Sequence, residues 1–241
     1  AGLLGAALVR ELLLNGACVV AADIAFYRLT NRLDHLGVDV NNSNITLKQI
    51  DLADTIAVLE LFDKVDGLTG AVNCSYPRNE NYGRKFFEVT LDDFNDNLAM
   101  SLGSSFFFMQ QCAAYFFAKG EPFSLVNIAS VYGVAAPNFE IYRKTEMTMP
   151  VEYAAIKSSL IHLSKYITKY VSDSNFRINL VSPGGILDGQ PDQFLTSYKE
   201  HTLGQGMLEV DDVLGTILYL LSDMARFVNG QNIVVDDGFI L

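Results

Sequence analysis

Ser124-Leu125-Val126-Asn127-Ile128-Ala129-Ser130, then Tyr153-Ala154-Ala155-Ile156-Lys157, then Phe176-Arg177-Ile178-Asn179-Leu180-Val181-Ser182-Pro183-Gly184-Gly185 carry the reading that decides the fold. Residues 124–129 are a short apolar run of strand type. A loop over 133–150 leads into helical periodicity over 151–171. A second apolar run at 176–181 is closed by the Ser-Pro-Gly-Gly turn. Strand, helix and strand in that order form a βαβ unit, which implies parallel strands with the helix packed across them.

The same alternation continues outward. Residues 6–14 read as a helix ending at Asn15-Gly16, a C-cap signal, and 18–22 as a buried strand ending at Asp23. A strand over 47–50 leads to Asp51, 55–65 is helical, and 70–73 is a strand before a Pro- and Asn-bearing loop at 75–83. Residues 91–119 read as one long amphipathic helix. A helix over 211–222 and a strand over 232–235 precede Asp236-Asp237-Gly238. The expected fold class is α/β, a doubly wound parallel sheet with helices on both faces, in a single domain over 1–241. No repeat or linker divides it. Such sheets bind ligands beyond the carboxyl ends of their strands, so the loops after Val20, Ile50, Val72, Ile128 and Val181 should line one cleft.

Composition narrows the function. Of 241 residues, 50% are hydrophobic and 19% charged, enough for a substantial core. The net charge of −11 disfavours nucleic-acid backbones and anionic lipid as partners. No apolar run is long enough to cross a bilayer. Cys18, Cys74 and Cys112 are odd in number and widely spaced, fitting neither a disulfide framework nor a zinc site. A soluble, cytoplasmic, metal-free protein is expected.

Gly2 and Gly5 open the first helix, where glycines admit a pyrophosphate to the helix N-terminus; plain turn glycines look the same. Asp23, ending the next strand, would accept hydrogen bonds from the adenosine ribose and repel a 2′-phosphate, so NAD(H) is preferred over NADP(H). The alternative for Asp23 is a helix N-cap. The four-residue spacing of Tyr153 and Lys157 puts both on one helical face. The ammonium there is expected to lower the phenol pKa, fitting Tyr153 for proton transfer. An amphipathic helix can carry the same pair without chemistry. Ser130 ends a strand at the cleft, where its hydroxyl could hold a substrate oxygen or simply cap a turn.

Together these residues resemble the short-chain dehydrogenase/reductase family over essentially the whole chain. Gly2, Leu4 and Gly5 fall in the second half of its glycine-rich cofactor loop. Asp51-Leu52 matches its adenine-contacting Asp-Leu/Val element. Val72-Asn73-Cys74-Ser75 sits at its Asn-Asn-Ala-Gly, with Asn73 toward the cofactor. Ser130, Tyr153 and Lys157 match its catalytic residues, and Pro183-Gly184-Gly185-Ile186 its turn near the nicotinamide. The resemblance implies a Rossmann-like fold and reversible hydride transfer. Tyr153 would exchange the proton, Ser130 polarise the carbonyl, and Lys157 bind the nicotinamide ribose. Cofactor contacts are then expected at Gly2, Leu4, Asp23, Asp51, Leu52, Asn73, Tyr153, Lys157, Pro183, Gly184 and Ile186. A homodimer or homotetramer is expected on the same ground.

Several positions depart from the family. Its first strand would precede Ala1, so the chain reads as truncated, leaving a hole in the sheet. The family's fourth catalytic residue, an Asn, aligns with Ser101. Cys74 and Tyr76 replace the second Asn and the Gly of Asn-Asn-Ala-Gly, and Asp188 stands where a Thr usually contacts the cofactor amide. The long segment 136–150, with Tyr76-Pro77-Arg78-Asn79 and Val235-Asp236-Asp237-Gly238-Phe239, is similar to a subgroup associated with flagellin modification and nonulosonic (legionaminic-type) sugar pathways. A small, sugar-derived and perhaps phosphorylated substrate is the expectation. Arg78, Arg143 and Lys144, with Arg84, are the candidate anion ligands. Two rival readings are a sugar-nucleotide epimerase or dehydratase, and a non-catalytic NAD-binding or scaffold protein of the same fold.

Overall fold

Strands Phe123–Ile128 (β4) and Phe176–Pro183 (β5) are buried almost throughout, because both faces of the sheet are covered. Their side chains alternate between two cores. Leu125, Ile178 and Leu180 pack on one face with Met109, Phe116, Ile156 and Leu160. Val126 and Val181 pack on the other with Ala7, Leu8, Val213, Leu214 and Ile217. Helices Ser104–Lys119 (α5) and Val151–Val171 (α6) therefore cover one face, and Leu3–Leu14 (α1) and Asp211–Leu221 (α8) the opposite one. This computed structural model describes residues 1–143 and 145–241.

All strand pairs are parallel. Val19–Asp23 (β1) pairs with Ile45–Gln49 (β2), and Gly70–Asn73 (β3), β4, β5 and Asn232–Val235 (β6) follow in that order. Among the described residues no backbone ladder joins β1 to β3, so the strands form one pair and one set of four. Helix α1 bridges them. Its Ala6 and Val9 pack with Ala21, Leu29 and Leu33, while Ala7 and Leu8 join the core of the larger sheet. The architecture is the α/β, Rossmann-like one that the alternation implies.

Three differences from the sequence expectation have local causes. Helices Phe26–His35 (α2) and Asp192–Lys199 (α7) were not expected. Each is a short and largely polar segment anchored by one buried i,i+4 pair, Leu29/Leu33 and Phe194/Tyr198, so neither carries an apolar run to mark it. The expected single helix over 91–119 is an α-helix Leu91–Asn97 (α4), a π-helical segment Leu98–Gly103, then α5. Such wide turns are rare and often sit at functional sites.

Gly70 shows how tightly β3 meets β4. A Cβ there would lie 2.7 Å from the Ser124 carbonyl oxygen and 3.2 Å from Leu221 Cδ2. Gly70→Ala should lower stability by about 1–3 kcal/mol, read as a lower urea midpoint with unchanged slope. An unaltered midpoint would show that β3 can move off β4 freely.

Candidate active site

Strand β4 ends two residues before Ser130, and helix α6 brings Tyr153 and Lys157 to the same end of the sheet. Ser130 is buried in an extended conformation and caps a short turn, Val131–Gly133, its Oγ accepting the Tyr132 N–H at 3.2 Å. Lys157 is 5% exposed, and its Nζ donates to the Ile128 carbonyl at 2.8 Å. That bond ties α6 to β4. Gly133, which the sequence reading passed over, permits the approach. A Cβ there would lie 2.7 Å from the Lys157 carbonyl carbon and 2.8 Å from its oxygen. Its signal was a lone glycine three residues past a strand-end serine, indistinguishable from an ordinary turn.

The electrostatics correct one expectation. Burial pushes the Tyr153 phenol above its ordinary value, with hydrogen bonding from Ser130 working against it. The expected net lowering by Lys157 is not found. Here the ammonium sits 5.5 Å from the Tyr153 ring centroid, and the cost of placing a phenolate in a dry site prevails. The same dryness pulls Lys157 from 10.5 down to about 8 and pushes the neighbouring Cys74 thiol up to about 12.

Tyr76 closes one side of the site. Its ring stands edge-on to Tyr153 (centroids 5.2 Å apart, 85°), and Lys157 Nζ lies 5.0 Å from the Tyr76 centroid. The Tyr76 hydroxyl donates to that of Tyr82. The loop carrying both is pinned from behind. Asn79 N–H donates to Asn97 Oδ1 at 3.0 Å, and Asn97 Nδ2 donates back to Asn79 Oδ1 at 3.2 Å and to Glu152 Oε1 at 3.4 Å. Asp93 gathers the Asn79 and Asn81 amides, the Thr90 hydroxyl and Arg84. Glu152, fully buried beside Tyr153 in sequence, has no partner for Oε2 among the described residues. Sequence reasoning missed Tyr82, Asn97 and Glu152, which only long-range contacts bring together. Ser101 is buried in the π-helical segment, one turn beyond Asn97, and that segment packs against α6.

The remaining positions form a track along the strand ends. Gly2 caps α1, whose first N–H groups lack intrahelical partners, and a Cβ built on Gly2 meets nothing within 4 Å. Leu4 lies in that first turn, and Gly5 lies against Cys74. Asp23 ends β1 beside the Ala1 nitrogen, and its Oδ1 accepts the Ala25 N–H at 2.8 Å. The cap of α2 is Ala25, so Asp23 is not its N-cap. Asp51 follows β2, accepts the Ala53 N–H at 2.9 Å and precedes Leu52. Asn73 turns inward, donating to Ser105 Oγ and accepting from Ser75, so its side chain is committed to the fold. Pro183 ends β5. Gly184 and Gly185 lie under Tyr198, whose hydroxyl accepts the Gly185 N–H at 2.6 Å, and Ile186 bridges to Leu208. Asp188 is exposed. An open helix N-terminus, carboxylates at two successive strand ends and a buried ammonium at the far end fit an elongated dinucleotide.

The candidate anion ligands do not converge. Arg143 pairs with Glu140 at 2.6 Å and is 72% exposed, and Arg84 pairs with Asp93. Arg78 stands by the Tyr82 ring, its guanidinium 5.6 Å from the centroid. Lys144 lies outside the described residues. Among the described residues no three His, Cys, Asp or Glu side chains group to hold a metal, and no helix is long and apolar enough to cross a membrane.

Lys157 has a measurable stability cost. The fall from 10.5 to about 8 corresponds to about 3 kcal/mol. A folded-state amine of lowered pKa binds fewer protons than the unfolded chain, so its penalty is complete below pH 8 and relieved toward pH 10.5. Lys157→Met should therefore raise the urea midpoint at pH 7. The gain should shrink as the pH climbs through that window, and a pH-independent difference would contradict burial of the charge.

The chain is similar to known proteins over nearly its whole length. The family model described as enoyl-(acyl carrier protein) reductase matches residues 3–240. The post-translational flagellin modification protein A of Campylobacter coli is 33% identical over 243 residues, covering 99% of this chain and 94% of that protein. A 7alpha-hydroxysteroid dehydrogenase of Bacteroides fragilis is 26% identical, covering 100% and 92%. Among solved structures, a short-chain dehydrogenase from Leptospira borgpetersenii with bound NAD+ superposes with a TM-score of 0.84 at 26% identity, covering 100% of this chain and 89% of that one. The chain belongs to the short-chain dehydrogenase/reductase family, and is an oxidoreductase of that kind.

Proposed function

We propose that the protein, one domain over residues 1–241, is an NAD(H)-dependent oxidoreductase. It transfers a hydride to or from the hydroxyl or carbonyl carbon of a small, sugar-derived substrate, with Tyr153 as general acid and base. The observation that carries this reading is the meeting of Ser130, Tyr153 and Lys157 at the end of β4, with Lys157 buried and tied to Ile128. A nicotinamide dinucleotide bound along the track supplies or accepts the hydride.

The chain's own residues do the rest. The α1 N-terminus at Gly2 to Gly5 would hold the pyrophosphate. Asp23 would take the adenosine ribose, Asp51 and Leu52 would flank the adenine, and the backbone at Asn73 and Pro183–Ile186 would border the nicotinamide half. Ser130 donates to the substrate oxygen, and Tyr153 gives that oxygen its proton during reduction or withdraws it during oxidation. Lys157 opposes the charge developing on the phenol. Its ammonium is the charged form at neutral pH, since about 8 lies above it. Ser101 completes the set in the place of an asparagine.

Preference for NAD(H) is supported by Asp23, a carboxylate that would face a 2′-phosphate with like charge; the Leptospira relative binds NAD+. The sugar reading is supported by the aromatic faces of Tyr76 and Tyr82 with Arg78 beside them, and by the relative that acts in flagellin modification. A cytoplasmic homodimer or homotetramer suits the exposed apolar side chains Phe106 and Phe117 on α5 and Tyr166 and Tyr170 on α6.

Two measurements test this together. In fluorescence titrations NADH should bind more tightly than NADPH, and Asp23→Ser should reduce that discrimination by about tenfold or more. Tyr153→Phe should leave NADH affinity near wild type and cut turnover by about 100-fold to 10,000-fold. Binding of neither nucleotide would remove the dehydrogenase reading.

A further inference from the structure

Lys157 poses a physical problem that its expected role does not solve. It is a buried ammonium, and among the described residues no carboxylate pairs with it. An isolated buried cation normally loses its proton or finds a partner. The groups around it come from three elements. Strand β4 offers the Ile128 carbonyl at 2.8 Å, α6 offers the Tyr153 ring at 5.5 Å, and the loop after β3 offers the Tyr76 ring at 5.0 Å with Cys74 nearby. With its thiol pushed up to about 12, Cys74 supplies no negative charge at neutral pH. Among the described residues the electron-rich partners of Lys157 are one carbonyl and two aromatic rings.

We propose that Tyr76 is a positioning residue whose ring, held over the Lys157 ammonium, keeps that amine charged in a site with no carboxylate to balance it. An ammonium is attracted to an aromatic ring by the ring's quadrupole, most strongly where water is excluded. The ring is also held in register. The Tyr76 hydroxyl bonds that of Tyr82, and the same loop is clasped at Asn79 by Asn97, which is bonded in turn to Glu152 of the helix that carries Lys157. The wall over the ammonium and the ammonium itself are thus anchored to one helix. The inference rests on Lys157 serving the reaction proposed above, and its test does not require the substrate.

The experiment is an NMR titration of the full-length chain with ¹³C-labelled lysine, following the Lys157 Cε signal, which is assigned by its loss in Lys157→Arg. The wild-type midpoint is expected near 8. Tyr76→Leu, which keeps an apolar cover without a π face, should weaken proton binding at Lys157 by about tenfold. Tyr76→Phe should stay within about twofold of wild type. Tyr82→Phe, which leaves the Tyr76 ring in place but frees its hydroxyl, should give a smaller fall. An unmoved midpoint in Tyr76→Leu overturns the proposal. A rise toward the ordinary lysine value in Tyr76→Leu or Tyr82→Phe also overturns it, because the ring would then only be shutting out water. NADH binding on the same samples keeps the two readings apart. Wild type that fails to bind NADH counts against the dehydrogenase reading, whereas the Lys157 midpoints judge Tyr76.

Discussion

The bond from Lys157 Nζ to the Ile128 carbonyl is the constraint on which the site depends. It fixes the register of α6 against the end of β4, and the other positions follow from chain geometry. Ser130 is two residues beyond Ile128, and Tyr153 lies one helical turn before Lys157. The bond needs α6 to come close, and the absence of a side chain at Gly133 provides the room. Burial of the ammonium follows from the same approach, since the strand end, the turn 131–133 and the Tyr76 loop leave it little access to water. A single close contact between a strand and a helix therefore sets both the geometry of the site and its electrostatic cost.

Much of this was legible in the sequence, for reasons that can be named. The strands 70–73 and 232–235 and the helix 151–171 fall where the sequence places them. Short apolar runs bounded by turn residues, and a long stretch of helical period, have few other ways to bury their surface. The family relationship was legible because its motifs occur in order along the chain. What stayed hidden depends on contacts distant in sequence. Asn97 and Glu152 are 55 positions apart, and nothing local marks either as part of one network. The partners of the candidate cations are equally silent in the sequence. Arg84 and Arg143 each have a nearby carboxylate, Asp93 and Glu140, and those partners hold them.

The reading of the Tyr153 phenol fails for a related reason. A Tyr and a Lys one turn apart suggest an ion-stabilised phenolate, and spacing alone says nothing about water. In the folded chain desolvation acts on both groups. It raises the acid Tyr153 and lowers the base Lys157, so each is pushed toward its neutral form. The ordinary values of 10.0 and 10.5 are driven apart, the phenol upward and the amine down to about 8, so the dry site keeps the proton on Tyr153 until a reacting oxygen takes it.

The first turns of α6 thus concentrate unfavourable burial. Among the described residues, Lys157 carries a charge without a carboxylate and Glu152 an oxygen without a partner, both almost fully enclosed. The remainder of the helix offsets this. Ile156, Leu160, Ile167 and Val171 lie in the core shared with α5, β4 and β5, where Phe176 stacks on Phe123 and meets Phe116 at a tilt. Each fully buried aliphatic side chain contributes about 1.5–3 kcal/mol, so four of them exceed the cost at Lys157 several-fold. A helix of 21 residues is long enough to hold a strained polar end at the cleft while its apolar length stays fixed in the core. A shorter helix with the same Tyr153 and Lys157 would lack that reserve, and its buried ammonium would be relieved by local opening or by loss of the proton. Local opening would undo the arrangement at Ile128 that places the reacting groups, and loss of the proton would remove the charge facing Tyr153.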